Sequence, residues 1–353
     1  MAYTTINKST DHFNTKLWTG TGSTNALTGV GFQPDLAWIK QRGGTTDHHL
    51  YDVVRGVTKA LASNTGDAES TKATGLTAFG SDGFTLGADA GVNGSSNTYV
   101  GWSWKAGNSA GSSNTDGDIT STVTANTTAG FSIVKWTGNG SASNIGHGIG
   151  AAPKCIIIKK YAATADWLMG HVGLHPTLPW KYGINLNNNG AVHESGSYFA
   201  DTVPGTSVFR VEANDEVNTN GATYIAYCFA EKQGFSKFGY YTGNGNADGP
   251  MIYTGFKPAF VLIKKATGTA DSWFINDSKR SATSGSNPNS YYMRPNENSA
   301  EGTSSSLSID TYSNGIKIRN TDTAYNNNNS TYIYMAFAEA PLVGSNNVPC
   351  TAR

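Results

Sequence analysis

The stretch GFQPDLAWIKQRGGTTD at residues 31–47 is written twice more, as GAAPKCIIIKKYAATAD at 150–166 and GFKPAFVLIKKATGTAD at 255–271. Gly31, Pro34, Ile39, Lys40 and Asp47 keep their offsets as Gly150, Pro153, Ile158, Lys159 and Asp166. They keep them again as Gly255, Pro258, Ile263, Lys264 and Asp271. Self-similarity of this kind marks one supersecondary unit in three copies.

After each proline the chain alternates, with apolar residues on both sides of the alternation. Leu36 and Trp38 oppose Ala37 and Ile39; Cys155 and Ile157 oppose Ile156 and Ile158; Phe260 and Leu262 oppose Val261 and Ile263. A strand apolar on both faces is buried on both. Proline is tolerated at its first position, where a missing N–H is harmless, and the lysine marks where the chain emerges. A second aligned strand closes each copy: Tyr99–Trp104, Tyr224–Phe229 and Tyr332–Phe337. Its alternate positions, Val100/Trp102/Trp104, Ile225/Tyr227/Phe229 and Ile333/Met335/Phe337, form a core-facing stripe. Asp82-Gly83 and Asn314-Gly315 are turn signals leading into further strands, with 207–211 as the weaker middle copy.

No long stretch shows a 3.6-residue period; residues 54–63 allow one or two helical turns. The expected fold is all-β, with three tandem β-sandwich or jelly-roll-like modules joined by Gly/Ser/Asn-rich connections. The boundaries read as a short polar arm at 1–12, modules at 13–106, 131–233 and 234–340, a linker at 107–130 and a tail at 341–353. Within the linker the first half is flexible by composition. In its second half Ile119, Ser121 and Val123 share a face, as in an edge strand.

Charged residues make up 14% of the 353 residues and the formal net charge is zero. That argues against a nucleic-acid binder, which would show a basic face or stripe. The first residues lack the apolar core of a secretory signal, and no apolar run is long enough to span a membrane. Three cysteines, Cys155, Cys228 and Cys350, are too few for a disulfide framework, which suits folding in a reducing compartment.

Chemistry is sparse. His171 and His175 have a metal-ligand spacing, but Gly170, Gly173 and Pro176 oppose a helix there, and they read as loop histidines, as does His193. His48 and His49 alternate to opposite faces of a strand with no nucleophile beside them. Residues 244–249 (NGNADG) start like a calcium loop but lack the glutamate at the twelfth position, so no metal is expected. No phosphate-binding glycine loop is present and no cofactor is expected. Lys40/Lys159/Lys264 and Asp47/Asp166/Asp271 suggest a recurring structural job, such as a Lys–Asp pair closing the following loop. No nucleophile, base and oxyanion donors recur with them, so no catalytic residues are assigned. Copies differ most at 48–80, 167–206 and 272–310. Trp167, Trp180, Tyr182, Trp273, Tyr291 and Tyr292 lie in or beside these inserts, where aromatic rings stack on glycans or cover sandwich ends and subunit contacts.

Several long runs carry a resemblance. They are the GFxPxxxxIK motif, the YIxxxFAE strands at 224–231 and 332–339, the junction GFSKFGYYTGNGNADG (234–249) and the ending FAEAPLVGSNNVP (337–349). Over nearly its whole length the chain resembles repeat-containing virion structural proteins of tailed bacteriophages, notably phages of marine bacteria and cyanobacteria. Such proteins are often called tail fibre-like or minor tail proteins. The resemblance implies a β-rich, non-enzymatic particle component, assembled in the host cytoplasm and located in the virion. Expected partners are other virion proteins, a homo-oligomer (a trimer by analogy with fibres) and a host surface glycan, with neither nucleic acid nor membrane insertion. A capsid decoration or head-fibre protein is the alternative. A glycan-degrading tail enzyme is the second; Glu194, Asp201, Asp215 and Glu216 form no recognisable pattern for it.

Overall fold

The structure is a computed structural model that describes residues 4–280 and 287–341. It is all-β, with 42% strand against 5% helix, arranged in antiparallel sheets. Among the described residues both α-helices are single turns, Ala90–Asn93 and Thr323–Asn326, and the remaining helical segments are three-residue 3-10 turns.

The repeats build three main sheets whose central strands follow one order. An opening strand pairs with the closing strand, which pairs with the signature strand, which pairs with the strand that follows it. In the first copy these are Phe13–Thr19, Thr98–Trp104, Leu36–Gln41 and His49–Asp52. In the second they are Phe131–Thr137, Thr223–Phe229, Cys155–Lys160 and Trp167–His171. In the third they are Ser236–Thr242, Thr331–Pro341, Phe256–Lys265 and Trp273–Asp277. Register is shared too, since the residue two beyond each proline faces the closing aromatic: Leu36 with Trp104, Cys155 with Phe229, Phe260 with Phe337. Pro34 and Pro153 precede their strands, whereas Pro258 lies inside one, at an irregularity in pairing. A bulge is where a sheet tolerates a residue without an N–H.

Each main sheet is apolar on both faces because each face has a partner. One face packs on a small sheet. These are Asn25–Leu27 with Gly83–Leu86 and Leu76–Gly80, Ser143–Gly146 with Val208–Val211, and Met251–Tyr253 with Gly315–Ile318 and Ile309–Tyr312. Ala37, Ile39 and Tyr99 pack there with Leu27 and Phe84; Ile156, Ile158 and Ala226 pack with Ile145 and Phe209. The opposite faces of all three sheets meet in one continuous core. Trp104, Phe229 and Phe337, equivalent residues of the three copies, touch one another there. Their ring centroids are 6.3, 5.8 and 5.6 Å apart around the triangle. The repeats are therefore related by an approximate threefold axis through this triangle.

A further set recurs outside the signature. Asn93, Asn218 and Asn326 are buried, and each lies six residues before the closing tyrosine. Their side chains accept from the backbone N–H of Thr21, Asn139 and Asn244 and donate to carbonyls of the same loops. The hydroxyls of Tyr99, Tyr224 and Tyr332 accept from the N–H of the residue just past each asparagine. Gly20, Gly138 and Gly243 press against this turn so closely that a Cβ would stand 2.2–2.3 Å from a backbone oxygen. That contact explains the recurring Thr-Gly pair.

Three expectations need correction. Residues 54–63 hold a turn and the strand Lys59–Ala62 rather than helix, since Ala60 and Leu61 are buried at the sheet. The 107–130 segment is no free linker: Ser121–Asn126 joins the second main sheet, and Ser112–Asn114 pairs with it as that sheet's edge strand. Ile119 and Val123 bury in the second core, as their shared face suggests. The N-terminal arm is not simply polar, because Ile6 reaches the central core. The tail beyond Pro341, with Cys350, lies outside the described residues.

Truncating a ring of the triangle leaves a cavity bordered by all three copies. Phe229→Ala is expected to cost about 3–5 kcal/mol and to shift the unfolding of the whole chain as one transition. Urea denaturation read by both fluorescence and circular dichroism checks this; loss of the middle copy alone would contradict it.

Candidate functional site

The inserts between framework strands do not hang free. Each reaches the neighbouring copy, and the contacts run in one direction around the axis. The N–H of Glu69 in the first copy donates to the carbonyl of Tyr161 in the second (2.7 Å). Val192 in the second donates to Ala266 in the third (2.8 Å), and Glu301 in the third to Arg42 in the first (2.7 Å). Each acceptor stands two residues past its signature lysine.

The lysines sit in the same joints. Lys40, Lys159 and Lys264 are fully buried. Lys159 Nζ donates to the carbonyls of Ala165 in its own loop and Gly66 of the first copy, at 2.6 and 2.8 Å. Lys264 donates to the carbonyls of Asp271 in its own loop and Asn189 of the second copy, at 2.5 and 2.9 Å. Lys40 donates to Gln41 and Gly44, within its own copy. The expected Lys–Asp pair is thus corrected: the ammonium closes the loop through carbonyl oxygens. Asp47 accepts from Asn64, Asp166 from Asn185 and Asn187, and Asp271 from the Ser272 N–H. Burial pushes all three lysines down to about 8, against the opposing pull of Asp47, Asp166 and Asp271 respectively.

Two of the insert aromatics belong to the clasp. Trp167 Nε1 donates to the Ala62 carbonyl of the first copy, and Trp273 Nε1 to the Asn185 carbonyl of the second. Both rings are buried and offer no open face. Trp180 is buried against Phe199 over the outer side of the second sheet, in space left by Gly170. The half-buried tyrosines are engaged elsewhere. Tyr182 stacks on His175 at 4.9 Å, Tyr292 packs on Phe274 beneath Arg294, and Tyr291 pairs with Thr303. The six therefore do not converge on one surface.

A deeper cyclic set was not anticipated. Tyr227 of the second copy donates to Asp52 of the first (2.8 Å), and Trp102 of the first donates to Asp277 of the third (3.0 Å). His171 holds the corresponding place in the second copy, 3.2 Å from the Tyr334 carbonyl of the third. Its Nδ1 accepts from the Gly173 N–H, so the proton sits on Nε2 and is donated to Tyr334. Burial holds this ring neutral, pushing its pKa down to about 4. Asp52 and Asp277 are each bound by an arginine three residues on, Arg55 and Arg280, all with side chains at most 1% exposed. Glu301 then bridges Arg280 to Arg42 of the first copy. The signal lay in the sequence as Asp-x-x-Arg at 52–55 and 277–280, with His-x-x-Leu at 171–174, inside segments that otherwise differ.

The other sequence candidates disperse. His48 accepts from Trp38 Nε1 in the core, while His49 faces the other side beside Tyr51. His175 and His193 contact Tyr182 and Tyr198, and among the described residues no three metal-ligating side chains come together. Residues 244–249 form asparagine-capped turns tied to Asn326. Cys155 faces the central core and Cys228 the outer one, so these free thiols lie on opposite faces of neighbouring strands. Glu194 and Asp215 pair with Lys181 and Lys160 at the surface.

Lysines with depressed folded-state values contribute stability that is fully present above their unfolded value, about 10.4, and is lost as pH falls through about 8. Tyr332 and Tyr334 are pushed up to about 12 by burial. Their contribution is present below about 10 and lost as pH rises through that higher value. The urea midpoint is therefore expected to rise from about pH 7.5 to about 9.5 and fall beyond about 10. Lys159→Met should lower stability by roughly 1–3 kcal/mol for its stranded carbonyls, and flatten the rise of the midpoint. A midpoint that declines steadily from pH 7.5 would contradict the assignment.

No curated protein matches the chain. A family match does, and it runs through all three copies without a break, as an interlocked body requires. The chain belongs to the family described as Domain of unknown function (DUF7483), which matches residues 8–341.

Proposed function

We propose that this protein is a non-enzymatic structural component of a bacteriophage virion, associated with the tail or its fibres and able to contact the host surface. One observation carries the reading beyond sequence resemblance: the cyclic clasp. Homotrimeric fibres present one surface three times around an axis. Here a single chain sets one framework three times around an axis, with each insert locked into the next copy. The proposal accordingly replaces the expected homotrimer by a monomeric pseudo-trimer, suited to docking on a threefold element of a particle. The recurring polar residues support a structural reading, because Lys159, Lys264, Asp52 and Asp277 are committed to inter-copy bonds.

Two measurements test this. Light scattering after size exclusion should give the mass of one chain, 37.2 kDa. Gold-labelled antibody on purified particles should decorate the tail or its appendages. Label spread over the head would replace the tail reading with capsid decoration, and particles without label would contradict a virion component altogether.

A further inference from the structure

The approximate threefold symmetry allows each surface position to be compared with its two counterparts, and it breaks sharply at one place. Tyr253, Met251 and Tyr312 are 58%, 45% and 40% exposed. All three lie on the outer face of the third copy's small sheet, where Tyr253 and Tyr312 both sit opposite Gly315 and Met251 opposite Lys317. Ile252, between Met251 and Tyr253, pairs with Ile316 as Leu27 pairs with Phe84 and Ile145 with Phe209. The counterparts of Met251 and Tyr253 are thus Ala26 and Thr28 in the first copy, and Asn144 and Gly146 in the second. The second copy's face is also covered by the 107–130 segment: Asn144 donates to Asp118, and Asn114 lies against Gly146. Among the described residues, only the third copy presents aromatic rings on this face.

A polar pocket of about 310 Å³ opens directly beside Tyr253. Glu231, Gln233, Ser236, Lys237 and Thr254 also line it. Glu231 and Lys237 hold each other at 2.7 Å with about a third of each side chain exposed. That bond uses one of the carboxylate's lone-pair sites and one of the ammonium's three donors, leaving the rest for a ligand. Tyr253 is 58% exposed, and among the described residues its ring makes no aromatic contact. A rigid ring at the rim, with paired acceptor and donor groups in the depression beside it, matches one ligand chemistry closely. A pyranose has an apolar C–H face to lie on a ring and hydroxyls at its edge that both donate and accept. Tyrosine loses little conformational entropy in such a contact.

We propose that the pocket beside Tyr253 is a saccharide-binding site, with the ring stacking on a pyranose and Glu231, Gln233 and Lys237 bonding its hydroxyls. The site adds a ligand class to the host-contact part of the proposed function. It does not depend on particle location, so label on the head together with sugar binding would reject one reading and keep the other.

The test uses the full chain on an array of bacterial surface oligosaccharides and polysaccharides, followed by titration of the best binder. Tyr253→Ala should weaken that binding about tenfold or more, the effect of one lost ring contact. Glu231→Gln should weaken it as well. Tyr240→Ala, which removes a ring 51% exposed and outside the pocket, should leave it unchanged, with circular dichroism confirming that all variants fold. Absence of binding by the intact chain, unchanged affinity of Tyr253→Ala, or equal loss in Tyr240→Ala would each overturn the proposal.

Discussion

Each main sheet carries large apolar side chains on both faces, and a small sheet can cover only one of them. The remaining face, with Trp104, Phe229 or Phe337 near its end, packs against the other two copies. Water cannot be left on that surface without forfeiting the main driving force for folding. The need to bury the second face therefore dictates the threefold arrangement, the single shared core and the close approach of the inserts. Once the sheets are gathered this way, polar groups at their edges are removed from water as well, and each must find a partner. The clasps supply those partners: lysine to carbonyl, tyrosine or tryptophan to aspartate, histidine to carbonyl.

The symmetry is carried by different chemistry in each copy. Asp52–Arg55 and Asp277–Arg280 are buried ion pairs, whereas the second copy uses a neutral histidine and Leu174. A buried charge is tolerated only with a complete set of bonds. Tyr227 and Trp102 complete the sets of Asp52 and Asp277 from the adjoining copies. Lys40 alone among the signature lysines bonds only within its own copy. There the joint with the third copy is made by Arg42 and Glu301 instead. Divergence in the inserts thus reflects alternative solutions to one joint rather than freedom from constraint.

How much of this was legible depended on whether the relevant period lay within one copy. The signature strand, its burial on both faces and the closing stripe follow from alternation over six residues, as does the strand at 121–126. The destination of the second face did not follow, because alternation says that a face is buried and not against what. Trp167 and Trp273 read as covering residues ahead of loop platforms, and the neighbouring copy's carbonyls show what they cover. The Asp-x-x-Arg pairs and the asparagine six residues before each closing tyrosine were present but hidden in stretches that align poorly. The Tyr253 pocket was beyond reach, since its walls come from the junction at 231–237 and a separate strand.

An interlocked threefold body on this plan has no copy that is stable alone. Native-state hydrogen exchange in rising urea reads that property residue by residue. The amides of the three closing strands, Thr98–Trp104, Thr223–Phe229 and Thr331–Phe337, should converge on one opening free energy and one urea dependence, because opening any of them exposes the common core. A closing strand that exchanged through its own, smaller opening while the other two stayed protected would show independent domains and contradict the shared core.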